Sequence, residues 1–261
     1  MRQFIFDGKT EKNGSIVVKG KDFRYLTTVL RLKINDKIDV RLKTGVLELM
    51  EIVAIESKTA ILQPVSRETK AVTQGVSAFS VENQSRVERE FWLFQFMPKP
   101  QKMDLIIRQA TECGISVIVP IISEYSVSQE GKGRLDRWQR IIKEARQQSG
   151  SPISTRIVEP LNVTEAAKLW KEAKSKEEAA ESCVAFILHE SSEIGDALES
   201  FQNCKNVKKI ALSVGCEGGF SPKEFDILKE VGFLPLHFAT NVLRAETAAL
   251  YGIAVLQQTF K

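Results

Sequence analysis

The first 65 residues alternate short apolar segments with polar residues, which is the spacing of half-buried β-strands. These segments are RQFIF, SIVVKG, DKIDVRL, GVLELMEIVAIE and TAILQPV. The stretch DFRYLTTVLRL differs, because its apolar side chains recur at helical spacing behind Asp22, a candidate N-cap. Its apolar face comprises Phe23, Leu26, Val29 and Leu30. Short strands with one helix predict a small β-barrel.

A polar stretch of weak periodicity, about residues 66–90, follows these strands and is typical of a linker. After it, apolar strands such as FWLFQFM and SVIVPIIS alternate with helical segments such as PQKMDLIIRQATEC, which Gly114 ends. Later strands are VAFIL, IALSV and FLPLHF, and later helices are LDRWQRIIKEARQQSG, VTEAAKLWKEAKSKEEAAES, SPKEFDILKEV and AETAALYGIAVLQQTF. This alternation predicts a mostly parallel sheet covered on both faces. We expect a barrel at residues 1–70, a linker at 71–89 and an α/β domain at 90–261.

Composition excludes several classes of protein. A hydrophobic fraction of 43% and a charged fraction of 27% are typical of a globular chain that buries a core. No apolar run is long enough to cross a bilayer, and the amino-terminal residues lack the apolar segment of a signal peptide, so a cytoplasmic protein is expected. Four scattered cysteines without a CxxC pair, and only two histidines, make a zinc site or any other metal site unexpected.

Positive charge is concentrated near the amino terminus. Residues 1–75 hold 14 Lys and Arg against 9 Asp and Glu, whereas the remaining residues are close to neutral. This distribution fits a domain attracted to a polyanion such as RNA, and it also fits a basic surface that keeps the protein soluble.

Three predicted strands end in loops of unusual composition. VAFIL precedes HE, IALSV precedes GCEGG, and LPLHF precedes ATNVLRAETA. Because ligands of an open parallel sheet bind beyond the carboxyl ends of its strands, we expect these loops to form one site.

The loop GCEGG is poorly suited to a phosphate. Its three glycines permit close approach of the backbone to a ligand, and SPKE follows as a capping box of Ser221 and Glu224. The box occupies the free N–H groups of the helix start, and Glu217 in the centre would repel an anion. A neutral or cationic ligand is favoured, although a tight turn with an exposed glutamate fits the same residues.

The loop ATNVLRAETA places Arg244 and Glu246 at the start of a helix. Arg244 has three open roles: ordering the loop, pairing with Glu217 or Glu246, or binding RNA phosphate. The helix carries a face of small residues, suited to close packing within this chain or against a partner. That face comprises Ala245, Ala248, Ala249 and Gly252.

The helix near 134–149 carries a broad basic face, which fits either contact with the RNA backbone or a solvated surface. That face comprises Arg134, Arg137, Arg140, Lys143 and Arg146, while Leu135, Trp138, Ile142 and Ala145 are expected to face the core. His189 and His237 lie near the expected site, but neither is assigned as a catalytic base.

Several of these stretches together resemble one family. GCEGGFSPKE is similar to GPEGGFS-x-x-E, NVLRAETA to RILR-x-ETA, and EARQQSG to EA-x-EQ-[SC]-G. KPQKMDLIIRQATECGISVIVPIISEYSV, MRQFIF and YLTTVLRL also have counterparts. These are motifs of the SPOUT methyltransferases of the RsmE type, which modify uridine N3 in small-subunit ribosomal RNA.

The resemblance implies an α/β fold with a carboxyl-terminal SPOUT domain that contains a deep trefoil knot, and an amino-terminal PUA-like β-barrel. It implies a homodimer that binds S-adenosylmethionine and acts on 16S ribosomal RNA or the assembled small ribosomal subunit. The implied cofactor residues are Leu188, His189, Glu190, Gly215, Cys216, Glu217, Gly218, Gly219, Leu236, Phe238, Asn241, Val242, Leu243 and Ala248. The catalytic candidates are Arg244, Glu246 and Glu217, and the RNA-binding candidates are Arg2, Arg24, Arg31, Arg137 and Arg146.

The sequence departs from the family pattern at a few positions. Cys216 replaces a proline, Asn241 replaces the first arginine of RILR, Ser151 replaces an arginine, and Arg24 stands where a histidine is common. Two alternatives therefore remain: a SPOUT enzyme with another RNA target, and a ribosome-assembly factor that binds RNA without catalysis.

Overall fold

The computed structural model describes residues 3–65, 89–126, 134–177, 182–190, 198, 201, 204 and 206–260. The chain divides into two compact units: Met1–Ser85 with Gln147–Pro152, and Arg86–Arg146 with Ile153–Lys261. Arg2 and the expected linker residues 71–88 lie outside the described residues. Among the described helices, none combines the length and the apolar composition that a membrane span requires.

The first unit contains a curled five-stranded sheet of order β1-β3-β4-β5-β2. The strands are β1 (Phe4–Phe6), β2 (Ile16–Lys19), β3 (Lys37–Leu42), β4 (Leu47–Glu56) and β5 (Thr59–Pro64). β1 runs parallel to β3, and every other pair is antiparallel. Alternate side chains of these strands, including Phe4, Val40, Ile52 and Leu62, are fully buried and form the core. The five predicted strands are confirmed.

The helical segment of this unit corrects two expectations. α1 (Gly20–Arg24) starts after Lys19, so Asp22 lies in its first turn and is not the N-cap. The chain continues as one π-helical turn, Tyr25–Val29, in which the Leu30 N–H bonds to the Tyr25 carbonyl. The extra residue in that turn rotates the apolar face, because a helical pattern assumes 3.6 residues per turn. Leu26 is therefore buried as expected, but Val29 is 65% exposed.

The second unit is built on a seven-stranded parallel sheet of order β12-β10-β11-β6-β7-β8, in which β9 also pairs with β7. Its strands are β6 (Glu90–Phe96), β7 (Val117–Ile122), β8 (Arg156–Ile157), β9 (Leu161–Asn162), β10 (Cys183–Leu188), β11 (Lys209–Val214) and β12 (Phe233–Leu236). The parallel sheet confirms the prediction. β8 and β9 were not predicted, because two residues are too short to show a period of two.

Among the described residues, five helices accompany this sheet: α2 (Pro100–Glu112), α3 (Leu135–Ser149), α4 (Val163–Ser175), α5 (Pro222–Glu230) and α6 (Ala245–Thr259). Gly114 follows the end of α2 as expected, and its φ of +80° permits two hydrogen bonds back to the helix, from its own N–H to the Thr111 carbonyl and from the Ile115 N–H to the Ala110 carbonyl. α4 ends at Ser175, earlier than its alanine-rich sequence predicts.

Helices cover both faces of the sheet, as the alternating pattern predicts. On one face, Met103 of α2, Trp138 of α3 and Ile253 of α6 belong to one buried cluster. On the other face, Trp170 of α4 and Leu228 of α5 belong to a second cluster. The small residues of α6 permit close packing within this chain. A Cβ atom on Gly252 would lie 2.6 Å from Cδ2 of Leu212 on β11.

Candidate active site

The loops that follow β10, β11 and β12 surround one pocket. These strands are neighbours, with β10 between the other two, so their carboxyl ends lie side by side. The pocket is lined by Leu188, His189, Glu190, Val214, Gly215, Cys216, Glu217, Gly218, Gly219, Phe220, His237, Phe238, Thr240, Asn241, Val242, Leu243, Ala245 and Ala248.

Every cofactor residue that the resemblance implies lines this pocket except Leu236. Leu236 is fully buried, and its carbonyl accepts a hydrogen bond of 2.8 Å from the His189 N–H, which joins the first and third loops. His237 Nδ1 lies 3.2 Å from the His189 carbonyl oxygen. Sequence reasoning left out some lining residues, although all are close neighbours of assigned ones. These are Val214, Phe220, His237, Thr240 and Ala245.

The Gly215–Gly219 loop folds back on itself at very short range. A Cβ atom on Gly215 would lie 2.9 Å from Cα of Gly219, so only glycine fits at position 215. Gly219 has a φ of +72°, and its N–H donates a 3.0 Å hydrogen bond to the carbonyl of Cys216. Cys216 is buried in this turn, and burial raises the pKa of its thiol, which is therefore neutral at pH 7.

The predicted capping box at the start of α5 is confirmed, and it extends further than expected. Glu224 accepts hydrogen bonds from the Ser221 N–H at 2.8 Å, the Ser123 hydroxyl at 3.1 Å and the Glu124 N–H at 3.0 Å. The Ser221 hydroxyl accepts a bond from the Glu224 N–H at 3.3 Å. The buried carboxylate of Glu224 therefore connects the residues that follow the glycine loop to the residues that follow β7 through hydrogen bonds.

Glu217 and Glu246 are joined by a cation that sequence reasoning did not assign. Nζ of Lys102, on α2, lies 3.5 Å from Oε1 of Glu217 and 3.2 Å from Oε2 of Glu246. The same Glu217 oxygen accepts a 3.3 Å hydrogen bond from the Lys99 N–H. The only signal in the sequence was the position of Lys102 inside KPQKMD, one of the stretches that carry the family resemblance.

This arrangement shifts the pKa of both ends of the Lys102–Glu246 pair. The ion-pair contact with Glu246 and the charges of Glu246 and Glu217 outweigh partial desolvation and raise the pKa of Lys102. Partial desolvation opposes ionisation of Glu246, but its backbone N–H, Lys102 and Arg244 together lower its pKa. Both groups are therefore charged at neutral pH.

Arg244 is the N-cap residue of α6, with an exposed side chain and a carbonyl that accepts a 2.7 Å bond from the Ala248 N–H. Its positive charge helps to lower the pKa of Glu246. Among the described residues, however, both Glu246 and Glu217 form their ion pairs with Lys102 rather than with Arg244. Arg244 does not line the pocket itself but follows Leu243, which does.

The expected RNA-binding arginines have different surroundings. Arg24 and Arg31 are exposed, and Arg31 has a φ of +57°. Arg137 donates to Oδ2 of Asp104 through Nε at 2.9 Å and through Nη2 at 2.6 Å, although its side chain is 64% exposed. Arg146 is partly buried and has contacts within the protein. Arg2 lies outside the described residues.

Comparison with known proteins agrees with this geometry. A family model described as an RNA methyltransferase domain matches residues 85–257, and one described as an RNA methyltransferase PUA domain matches residues 18–65. Ribosomal RNA small subunit methyltransferase E 2 of Borreliella burgdorferi is 31% identical over 259 residues, which cover 97% of this chain and 96% of that protein. The chain belongs to the ribosomal RNA small subunit methyltransferase E family.

Solved structures of methyltransferases share the fold of this chain. Ribosomal RNA small subunit methyltransferase E from Neisseria gonorrhoeae, bound to S-adenosylmethionine, has a TM-score of 0.78 at 21% identity and aligns with 100% of this chain and 98% of its own. A Legionella pneumophila methyltransferase in complex with the same cofactor has a TM-score of 0.76 at 21% identity, covering 98% of this chain and 96% of its own. The expected α/β fold, with an amino-terminal PUA-like domain and a carboxyl-terminal methyltransferase domain built on a parallel sheet, is confirmed.

Proposed function

We propose that this protein transfers a methyl group from S-adenosylmethionine to N3 of a uridine in 16S ribosomal RNA. The observation that carries the proposal is the pocket beyond β10, β11 and β12, because it is lined by residues of the three loops that the family resemblance singles out. Membership of the small subunit methyltransferase E family supports the same reaction and the same class of RNA.

The chemistry of the pocket fits S-adenosylmethionine. Gly219 has open space where a side chain would stand, which leaves room for a ligand against the backbone, while Leu188 and Phe238 supply apolar surface for an adenine ring. The self-capped start of α5 offers little to a phosphate, and the nearby carboxylates suit a ligand that carries a sulfonium cation. When bound, the cofactor supplies an electrophilic methyl group.

We assign Arg244 the role of contacting the uracil base of the target uridine. Its exposed side chain stands at the start of α6 beside the pocket, within reach of solvent and of a docked nucleotide. Uridine N3 must lose its proton before it can be methylated, and a guanidinium close to the ring stabilises the resulting anion. Because N3 is hidden in a base pair, the target uridine must be unpaired or flipped out of its stack.

Glu217 and Glu246 have two possible roles in this reaction, proton handling or shaping the loop. Loop shaping is favoured because both carboxylates hold the same ammonium group of Lys102, and because the pKa of Glu246 lies below its ordinary value. We therefore assign them to the architecture of the pocket.

We assign binding of the RNA backbone to the amino-terminal domain and to the basic face of α3. The proposed contacts are Arg2, Arg24, Arg31, Arg137 and Arg146. The proposal further includes a cytoplasmic homodimer that acts on 16S ribosomal RNA or on the assembled small ribosomal subunit. It divides the chain into an RNA-binding domain at 1–70, a linker at 71–89 and a methyltransferase domain at 90–261.

The test has two parts. Titration calorimetry of the purified protein with S-adenosylmethionine is expected to show binding, and an absence of binding would favour an RNA-binding assembly factor instead. Modification mapping of ribosomal RNA from a strain lacking the gene is expected to show loss of methylation at one 16S uridine N3, restored by the wild-type gene. Loss of a modification elsewhere would favour a SPOUT enzyme with another RNA target.

A further inference from the structure

Lys102 contacts two walls of the pocket without lining the pocket itself. One wall is the Gly215–Phe220 loop, which contains Glu217, and the other leads from His237 into the first turn of α6, which contains Glu246. Lys102 projects from α2, the helix that follows β6, and its ammonium group lies within ion-pair distance of both carboxylates.

The three charged groups form a partly buried cluster rather than a fully exposed ion pair on the surface. The exposed fractions of the side chains are 27% for Lys102, 29% for Glu217 and 17% for Glu246. Charges that are partly withdrawn from water interact more strongly than exposed ones and are less screened by salt. Removing the ammonium group would leave two like charges facing each other across the gap that it now fills.

We propose that Lys102 is a positioning residue that holds the two walls of the pocket at the separation that the cofactor requires. Lys102 acts through Glu217 and Glu246 and touches neither the methyl donor nor the RNA. A pocket held in its binding geometry before the ligand arrives avoids the cost of ordering two loops on binding. This inference rests on the proposed function, because it takes S-adenosylmethionine as the ligand of the pocket.

The direct test is calorimetric titration of S-adenosylmethionine into wild-type protein and into the Lys102→Met variant. Methionine keeps most of the length of the side chain and removes its charge, and we expect about tenfold weaker binding, equivalent to about 1.4 kcal/mol. Lys99→Met is the matched control, since Lys99 is exposed and its hydrogen bond to Glu217 uses the backbone N–H, which the substitution retains. The control is expected to bind like wild type.

A second pair of variants separates positioning from general loss of structure. Glu246 does not line the pocket, so Glu246→Gln removes one of the two like charges, and with it their mutual repulsion, without changing a residue that lines the pocket. In the Glu246→Gln background, we expect Lys102→Met to weaken binding by only about twofold, because part of the interaction is already gone. Lys102→Arg is expected to retain most of the wild-type affinity.

The outcomes separate the two hypotheses. If wild-type protein does not bind S-adenosylmethionine, the proposed function itself is wrong. If wild type binds and Lys102→Met binds equally well, only the role of Lys102 is wrong. If Lys102→Met weakens binding by the same factor with and without Glu246→Gln, Lys102 acts by some route other than this cluster, and the inference is overturned as well.

Discussion

Gly215 and Gly219 approach so closely that a Cβ atom on Gly215 would lie 2.9 Å from Cα, 3.0 Å from the carbonyl carbon and 3.2 Å from the carbonyl oxygen of Gly219. All three neighbours are backbone atoms, so no side-chain rotation can relieve the contact. The loop that forms one wall of the pocket is therefore closed by two residues four positions apart, and its shape depends on the absence of a side chain at position 215.

Substitution Gly215→Ala is expected to weaken binding of S-adenosylmethionine by about tenfold or more and to cost about 1–3 kcal/mol of folding stability. The reason is that the loop must open to accommodate the alanine side chain. Titration calorimetry and chemical denaturation measure the two effects. Gly45→Ala is a suitable control: Gly45 has a φ of +88° and open space around it, in a turn outside the pocket. It should lower stability and leave cofactor binding unchanged.

Much of the fold could be predicted because its elements carry long, regular patterns. The parallel strands of the second unit are continuous apolar runs, and the caps at Gly114 and Ser221 are local signals with a direct backbone cause. The π-helical turn at Tyr25–Val29 could not be predicted, because one inserted residue leaves almost no trace in a short apolar pattern.

The site was predictable in its loops and not in its charge pairing. The glycine loop and the segment before α6 could be recognised from their own residues. The role of Lys102 depends on contacts with residues more than 100 positions away. Neither the composition of the sequence nor the spacing of its residues indicates such long-range contacts. The same is true of Glu224, whose carboxylate completes a local capping box and also accepts bonds from the end of β7.

Arg244→Ala is expected to slow single-turnover methylation by about 10²-fold while S-adenosylmethionine still binds, because removing one donor to a developing anion costs about that much. Rapid-quench assays at saturating RNA and cofactor measure the chemical step. Arg244→Lys keeps the charge but not the planar donor geometry and should recover part of the rate. Full single-turnover activity in Arg244→Ala would refute the role assigned to this residue.

Charge reversal at Arg24 and Arg31 tests the RNA-binding assignment. Each substitution by glutamate is expected to weaken RNA binding and to reduce the slope of log affinity against log salt by about 0.7 to 0.9 for each phosphate that the protein no longer neutralises. Binding of S-adenosylmethionine should not change. Lys168→Glu provides the control, since Lys168 is a surface residue of α4 whose side chain is 77% exposed. An unchanged salt slope in both arginine variants would contradict the assignment.

Cys216 is expected to resist alkylation in the folded protein. Its side chain is buried, and burial raises the pKa of the thiol, so the reactive thiolate is scarce at about pH 7.5. Mass spectrometry after brief treatment with iodoacetamide should find Cys216 unmodified in native protein and modified in denaturant. Rapid labelling of Cys216 under native conditions would show that the turn from Cys216 to Gly219 opens readily.

The Lys102 cluster should be insensitive to pH over the physiological range. Folding lowers the pKa of Glu246 from its ordinary value of 4.5, so its contribution to stability is complete above that value and is lost as the pH falls through the lowered pKa. Folding raises the pKa of Lys102 from its ordinary value of 10.5, so its contribution is complete below that value and is lost only at more alkaline pH.

The difference in melting temperature between wild type and Lys102→Met is therefore expected to be constant between about pH 6 and pH 9 and to shrink below about pH 4. Differential scanning calorimetry of both proteins across this range measures it, with Lys99→Met run in parallel to account for the removal of one lysine charge. A difference that changes between about pH 6 and pH 9 would mean that another titrating group controls the interaction of Lys102 with the two carboxylates.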